Sequence, residues 1–265
     1  MMYCGRRILM IQSVQRAIRI LSILADNYTK PTPLSTLAAL SGLNKSTCAH
    51  LIATLEEEGY AIKISPSKGY ILGPAAYCLS RFGDYKKELT TICHPILQYL
   101  HHHTGHTVIL TIVENGTKYI LDSIDNSDIF DSKTRIRSDD IYRTATGRAI
   151  LINLPRKDAS DIFKKYGNPT ETEWPEVRNI EEFNRYAANI KKNTVLKSRC
   201  CFPSDTIVNL GYGAAIFTLS RCVGAVGIAL KMSLEEEKNF TQEEETKIIR
   251  LLSRGASEIN RRLVK

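Results

Sequence analysis

The sequence predicts an α+β protein in two parts: a small head holding a winged helix-turn-helix, and a larger mixed body. Three observations carry this. Residues 34–73 read as two short helices across a glycine turn followed by a β-hairpin, positive charge gathers in the first 82 residues, and strand and helix signals alternate beyond Gly105. At 265 residues and 43% hydrophobic, the chain can bury two cores.

Residues 1–9 fit no helical pattern, whereas Met10-Ile-Gln-Ser13 leads naturally into a helix, which suggests that translation starts at Met10 and makes residues 1–11 an N-terminal extension. From Ser13 to Ala25, Val14, Ala17, Ile18, Leu21 and Leu24 share one face, the expected core face of a first helix. Pro31 and Pro33 force an extended approach to Ser35, the expected cap of the next helix. Leu37, Leu40, Leu43, Cys48, Leu51, Ile52 and Leu55 recur at helical spacing on both sides of Gly42, so two crossing helices bury one face, and Asn44 is placed to cap the second. That leaves Lys45, Ser46, Thr47, Ala49 and His50 near the free N-terminal end that such motifs push into the major groove. Tyr60, Ile62 and Ile64 alternate, Pro66-Ser-Lys-Gly69 turns the chain, and Tyr70 and Leu72 alternate again, giving a hairpin with Lys68 at its tip. The head spans residues 12–73.

A linker helix is expected over 74–84, broken at Gly83-Asp84, and a longer helix over 85–103 opens the body, residues 85–265. Asn115-Gly116 joins strands at 107–113 and 118–124, with a further strand at 135–137. Thr144-Ala-Thr-Gly-Arg148 opens a helix that ends before Pro155; others run over 155–166 and 180–192, the last capped by Asn179. Strands at 195–200, 212–219 and 222–230 precede a final helix whose capping box is Thr241 with Glu244. This order predicts an antiparallel sheet with helices packed on its faces.

Composition narrows the function. Residues 1–82 hold nine basic side chains against four acidic ones, a net of +5, while the whole chain carries +8, so the much longer remainder adds only +3. A basic module on a nearly neutral one is the footprint of a DNA-binding head on a regulatory body, though ordinary surface charge reads the same way. No apolar run reaches bilayer-spanning length, and seven scattered cysteines without a signal peptide point to a reducing cytoplasm and no membrane partner. No phosphate-binding glycine loop, nucleophile elbow or paired carboxylates stand out, so no enzyme chemistry and no cofactor are expected.

Ser13-Val-Gln-Arg-Ala-Ile-Arg-Ile-Leu21, Leu43-Asn-Lys-Ser-Thr47, Leu51-Ile-Ala-Thr-Leu55, Glu58-Gly-Tyr60 and Gly69-Tyr-Ile-Leu-Gly73 resemble the head of the IclR family of bacterial transcriptional regulators. The similarity continues more loosely through His94-Pro-Ile-Leu97, Tyr119-Ile-Leu-Asp122 and Ala145-Thr-Gly-Arg-Ala149. The resemblance implies a GAF-like effector-binding body, assembly as a dimer or tetramer, double-stranded operator DNA as partner and a small-molecule effector of unknown identity. It carries Lys45, Ser46, Thr47 and Lys68 over as DNA contacts. His50 stands where the family usually shows arginine, which reads guanine with two donors where a neutral histidine offers one. The cysteine and Ala-Pro usual in the effector region are missing from Gly211-Tyr-Gly-Ala-Ala-Ile-Phe217.

The candidate DNA-contacting residues are therefore Ser35, Lys45, Ser46, Thr47, Ala49, His50 and Lys68. Candidate effector contacts are Thr144, Thr146, Gly147 and Arg148, at a helix start whose free N–H groups favour an anion, with Asp122 and Tyr212 as secondary candidates. A plain helix cap with a surface arginine explains the first four equally well. His94, His101, His102, His103, His106 and Cys93 raise a metal-sensing or enzyme-like alternative for the body; Gly105 interrupts the helix between His102 and His106, which favours solvated histidines.

Overall fold

The computed structural model describes residues 11–27, 30–79, 86–125, 137–138, 140–201 and 206–264, which cluster into two compact units meeting in sequence between Leu79 and Lys86. Residues 1–10 and the expected break at Gly83-Asp84 lie outside the described residues. No helix among the described residues is long and apolar enough to cross a membrane.

The first unit runs α1 (Gln12–Asp26), α2 (Leu34–Ser41), α3 (Lys45–Glu57), β1 (Ala61–Ser65), β2 (Gly69–Leu72) and α4 (Pro74–Cys78). Gly42 ends α2 in the left-handed conformation at φ 69°, which a residue with a Cβ adopts only with strain, and so permits the sharp turn into α3. Asn44 caps α3 by accepting from the Thr47 N–H at 2.8 Å. Ile20, Leu24, Leu37, Cys48, Ile52, Leu55, Ala61 and Tyr70 form the core.

Three expectations change here. The buried face of α1 is Ile20, Ile23 and Leu24, rotated from the predicted one, so that Val14 and Ile18 are each 53% exposed. Ser35 is no cap: α2 begins at Leu34, two residues earlier than a Ser35 cap implies, behind Pro33 and with no side-chain cap. In the hairpin Ala61 and Tyr70 face the core, and Ile62 and Ile64 face outward, because alternation fixes which residues share a face but not which face is buried.

The second unit runs α5 (Lys87–Thr104), β3 (Thr107–Glu114), β4 (Thr117–Ile124), β5 (Arg137–Ser138), α6 (Ala145–Asn153), α7 (Arg156–Tyr166), α8 (Ile180–Asn189), β6 (Leu196–Cys201), β7 (Ile207–Thr218), β8 (Arg221–Ser233), α9 (Leu234–Asn239) and α10 (Gln242–Leu263). The six strands pair antiparallel in the order β5-β4-β3-β8-β7-β6. One face of the sheet packs on α5 and α10 through Leu97, Leu100, Leu110, Tyr212, Ile228 and Leu252. The opposite face carries α6 through Ala149, Ile150, Ala215 and Ala225, and an aromatic cluster of Tyr142, Phe163, Trp174 and Phe183 lies with α7 and α8. Both α9 and α10 start with full capping boxes, Ser233 with Glu236 and Thr241 with Glu244.

Candidate nucleic-acid interface and ligand site

Burial of Cys48, Ile52 and Leu55 fixes the inward face of α3, so the opposite face is set by helical geometry. Lys45, Ser46 and His50 are exposed on it, with Thr47 and Ala49 half-buried beside them. The cap on Thr47 leaves the first turn well formed, with Lys45 leading it. Lys68 is exposed at the hairpin tip, its N–H held by Ser65 Oγ at 3.0 Å. Ser35 is exposed in the first turn of α2. The end of α3 behaves differently, since Glu56, Glu57 and Glu58 are exposed there and repel phosphate. This acidic run sets the far end of α3 apart from its first two turns, a contrast already present in the sequence.

The six candidate ligand residues do not form one site, because they lie on opposite faces of the sheet. Tyr212 is buried toward α10 and donates to Glu245 Oε1 at 2.9 Å; Lys197 Nζ reaches the same carboxylate oxygen at 2.6 Å, so Tyr212 fastens α10 to the sheet. Burial and this carboxylate push the Tyr212 phenol above its ordinary range. Asp122 pairs with His94 Nδ1 of α5 at 2.7 Å, again on the α10 side. A β-bulge puts it there: Leu110 pairs with Asp122 but Thr111 pairs with Ile120, so Lys118 and Ile120 face α6 while Asp122 faces α5.

At the start of α6 two of the first three N–H groups are already used. Thr144 Oγ accepts from Gly147 N at 3.3 Å and from Lys118 Nζ at 2.9 Å, and donates to the Asp140 carbonyl at 3.3 Å. Ala145 N donates to Ser198 Oγ at 2.9 Å. Arg148, expected to meet an anion, is buried and spends its guanidinium on three carbonyls: Tyr142 at 2.7 Å, Lys197 at 3.1 Å and Glu173 at 2.6 Å. It also stacks on Trp174 at 5.1 Å. An arginine so placed brackets the main chain with three of its five N–H donors. Lys118, 3% exposed, pairs with Asp140 at 2.5 Å. Burial draws its ammonium below the ordinary lysine range, and Asp140 opposes that shift.

Close approach of α6 to the sheet depends on two glycines. A Cβ on Gly213 would lie 2.5–2.6 Å from Ala145 C, Ala145 O and Thr146 N, and one on Gly227 would lie 2.3 Å from Thr146 Cγ2. Among the described residues no three His, Cys, Asp or Glu side chains gather to hold a metal.

A basic winged helix-turn-helix joined to an α/β body with a buried polar layer defines a two-part class of protein. Comparison gives the family. The IclR helix-turn-helix domain matches residues 13–63 and the bacterial transcriptional regulator IclR C-terminal domain matches residues 85–181, together more than half of the chain, which belongs to the IclR family of bacterial transcriptional regulators. The chain is 22% identical to the acetate operon repressor of Salmonella typhimurium over 160 residues, 59% of this chain and 58% of that protein, so the match spans little more than half of that relative's length. Two solved structures share the fold. An IclR transcriptional regulator from Alicyclobacillus acidocaldarius is 18% identical with a TM-score of 0.67, covering 96% of this chain and 99% of its own. An IclR homologue from Microbacterium hydrocarbonoxydans, complexed with 4-hydroxybenzoate, is 13% identical with a TM-score of 0.66, covering 95% and 98%.

Proposed function

We propose that this protein is a transcriptional regulator that reads operator DNA with the first two turns of α3 and responds to a small molecule bound in its second unit. One observation carries the reading: α3 keeps Lys45, Ser46 and His50 outward at a capped N-terminal end, with Lys68 exposed at the hairpin tip and Glu56, Glu57 and Glu58 at the other end of the helix. Lys45 and Lys68 neutralise phosphates, and His50, with Ser46 and Ala49, meets base edges. Ser35 and Thr47 supply hydroxyls to the backbone. The family's repressors and the Microbacterium homologue with its bound 4-hydroxybenzoate support an effector-responsive switch.

Ile11, Val14, Ile18 and Leu21 follow a three-four spacing along α1, the first three well exposed. Such a stripe suits a second copy of the same helix, and a two-fold pair of heads suits a palindromic operator. On the ligand side, Thr144, Gly147 and Arg148 build the closed end of the site, Thr146 faces it, and Tyr212 and Asp122 support the sheet from behind. Selection of bound fragments from genomic DNA followed by footprinting tests this function. Two protected half-sites with centres about 34 Å apart, or a multiple of that, are expected; retention of fragments without a common sequence would overturn it.

A further inference from the structure

Many basic side chains of the second unit are matched by acids. Lys118 pairs with Asp140, Arg143 with Glu173, Arg178 with Glu182, Lys197 with Glu245 and Arg199 with Glu237. Within α10, Arg261 and Arg262 both pair with Glu258 at 2.7 Å. Lys247, Arg250 and Arg254 of the same helix differ: all three are exposed, and none has a hydrogen-bond or ion-pair partner among the described residues. Glu244, whose carboxylate feels the Lys247 charge, is committed to the capping box at Thr241.

Burial of Ile248, Leu252, Ala256 and Ile259 fixes the inward side of α10. At about 100° per residue the three cations fall within about 60° of one another on the opposite side, in a row about 10 Å long. Arg250 lies three residues from Lys247 and four from Arg254, spacings at which like charges repel and lower helix stability. The row is therefore unfavourable to the isolated fold. Its neighbours on that face are Glu243, Ser257 and Arg261, all exposed, and Ile249, 37% exposed, lies about 100° round the helix from Arg250. The row thus holds no apolar anchor. Protein partners are gripped by anchors buried in desolvated pockets, whereas a phosphate backbone asks only for exposed cations.

The head by itself offers few such cations. Arg16 is bonded to Gln12 at 3.1 Å, Arg19 to the Leu40 carbonyl at 3.3 Å, and Lys63 lies over the Tyr70 ring at 5.8 Å. The reading above gives each head two phosphate contacts, Lys45 and Lys68, so a pair of heads makes about four, below the roughly 6–10 that produce strongly salt-dependent operator binding. We propose that the Lys247, Arg250 and Arg254 face of α10 is a second contact for duplex DNA, meeting phosphates outside the sequence that α3 reads and carrying no base preference of its own. This goes beyond the function proposed above and rests on it for the choice of DNA among polyanions.

The test uses the full chain and two combined variants. The first joins Lys247→Gln, Arg250→Gln and Arg254→Gln; the control joins Arg156→Gln, Lys157→Gln and Lys238→Gln, removing the same charge from exposed positions on α7 and α9. Both should melt within about 2 °C of the parent, as surface changes do. Affinity is measured against salt on a selected genomic fragment trimmed to its footprint, and on the same fragment lengthened at each end by about two helical turns, ~20 base pairs, of unrelated sequence. On the lengthened duplex the first variant should bind more weakly than the parent, its log-log salt slope smaller by about one per lost phosphate contact. On the trimmed duplex it should match the parent, and the control should match the parent on both. Equal slopes for parent and first variant on the lengthened duplex overturn the proposal. Equal losses in the control also overturn it, since diffuse charge then suffices, and so does a changed oligomeric state of the first variant in light scattering, which makes the row a contact between copies. If no fragment is selected, a duplex of unrelated sequence gives the same comparison, so failure of reading by α3 and failure of this contact are told apart.

Discussion

Replacing Arg148 with methionine separates a bracket from a ligand contact. The change removes the charge and keeps much of the side chain's length, but it strands the carbonyls of Tyr142, Lys197 and Glu173, which now accept at 2.7, 3.1 and 2.6 Å. The bond to Tyr142 is buried, and leaving that acceptor open costs about 1–3 kcal/mol; the two part-buried acceptors, which water can reach, add less. Loss of the stack on Trp174 adds about 0.5–2 kcal/mol. At about 2–4 °C per kcal/mol for a domain of this size, the melting temperature should fall by at least about 3 °C. Trp174 is the chain's single tryptophan and lies against Arg148, so intrinsic fluorescence reports unfolding from the layer in question. A fall below about 2 °C, accompanied by loss of a ligand-induced shift, would refute the bracket and return Arg148 to the ligand.

Other perturbations test neighbouring parts of the account. Gly213→Ala drives a Cβ to within 2.6 Å of three main-chain atoms of α6 and should destabilise by about 1–3 kcal/mol in chemical denaturation; an unchanged midpoint would show that α6 shifts without strain. Asp140→Asn leaves the buried Lys118 ammonium without its carboxylate, a loss of about 3–5 kcal/mol near neutral pH. Because Lys118 is held below its unfolded value, the unfolded chain binds the proton more firmly, and the deficit of Asp140→Asn should shrink as pH rises from 7 toward the ordinary lysine value; a deficit that grows with pH would contradict the assignment. His50→Ala should alter operator sequence preference while leaving the salt dependence of binding unchanged, measured on single-base operator variants; equal weakening on every sequence would remove His50 from base contact.

Local rules made most of the fold legible. The cap at Asn44, the left-handed Gly42, the Asn115-Gly116 turn and the capping box at Thr241 each depend on a few adjacent residues, and each is found where the sequence predicts it. Capping chemistry also announces α9, since Ser233 and Glu236 repeat the pattern of Thr241 and Glu244; that signal was present and went unread. Facing was harder. Val14 and Ile18 are as apolar as Ile20 and Ile23, and only packing against α2 and α3 decides which pair is buried. The placement of the candidate ligand residues was least legible of all. The bulge opposite Leu110 and Thr111 turns Asp122 to the other face, and no alternation pattern reveals a single extra residue. Arg148 looked like an anion contact because its three acceptors come from segments about 6, 25 and 49 residues away in sequence, and only the folded chain brings them together.

The DNA-reading role of α3 is tested most directly by the salt dependence of operator affinity, measured by fluorescence anisotropy for the parent, Lys45→Ala and Lys68→Ala. Each variant should bind more weakly, with the slope of log affinity against log salt reduced by about one per lost phosphate contact. Affinity and slope unchanged in both variants would contradict the account.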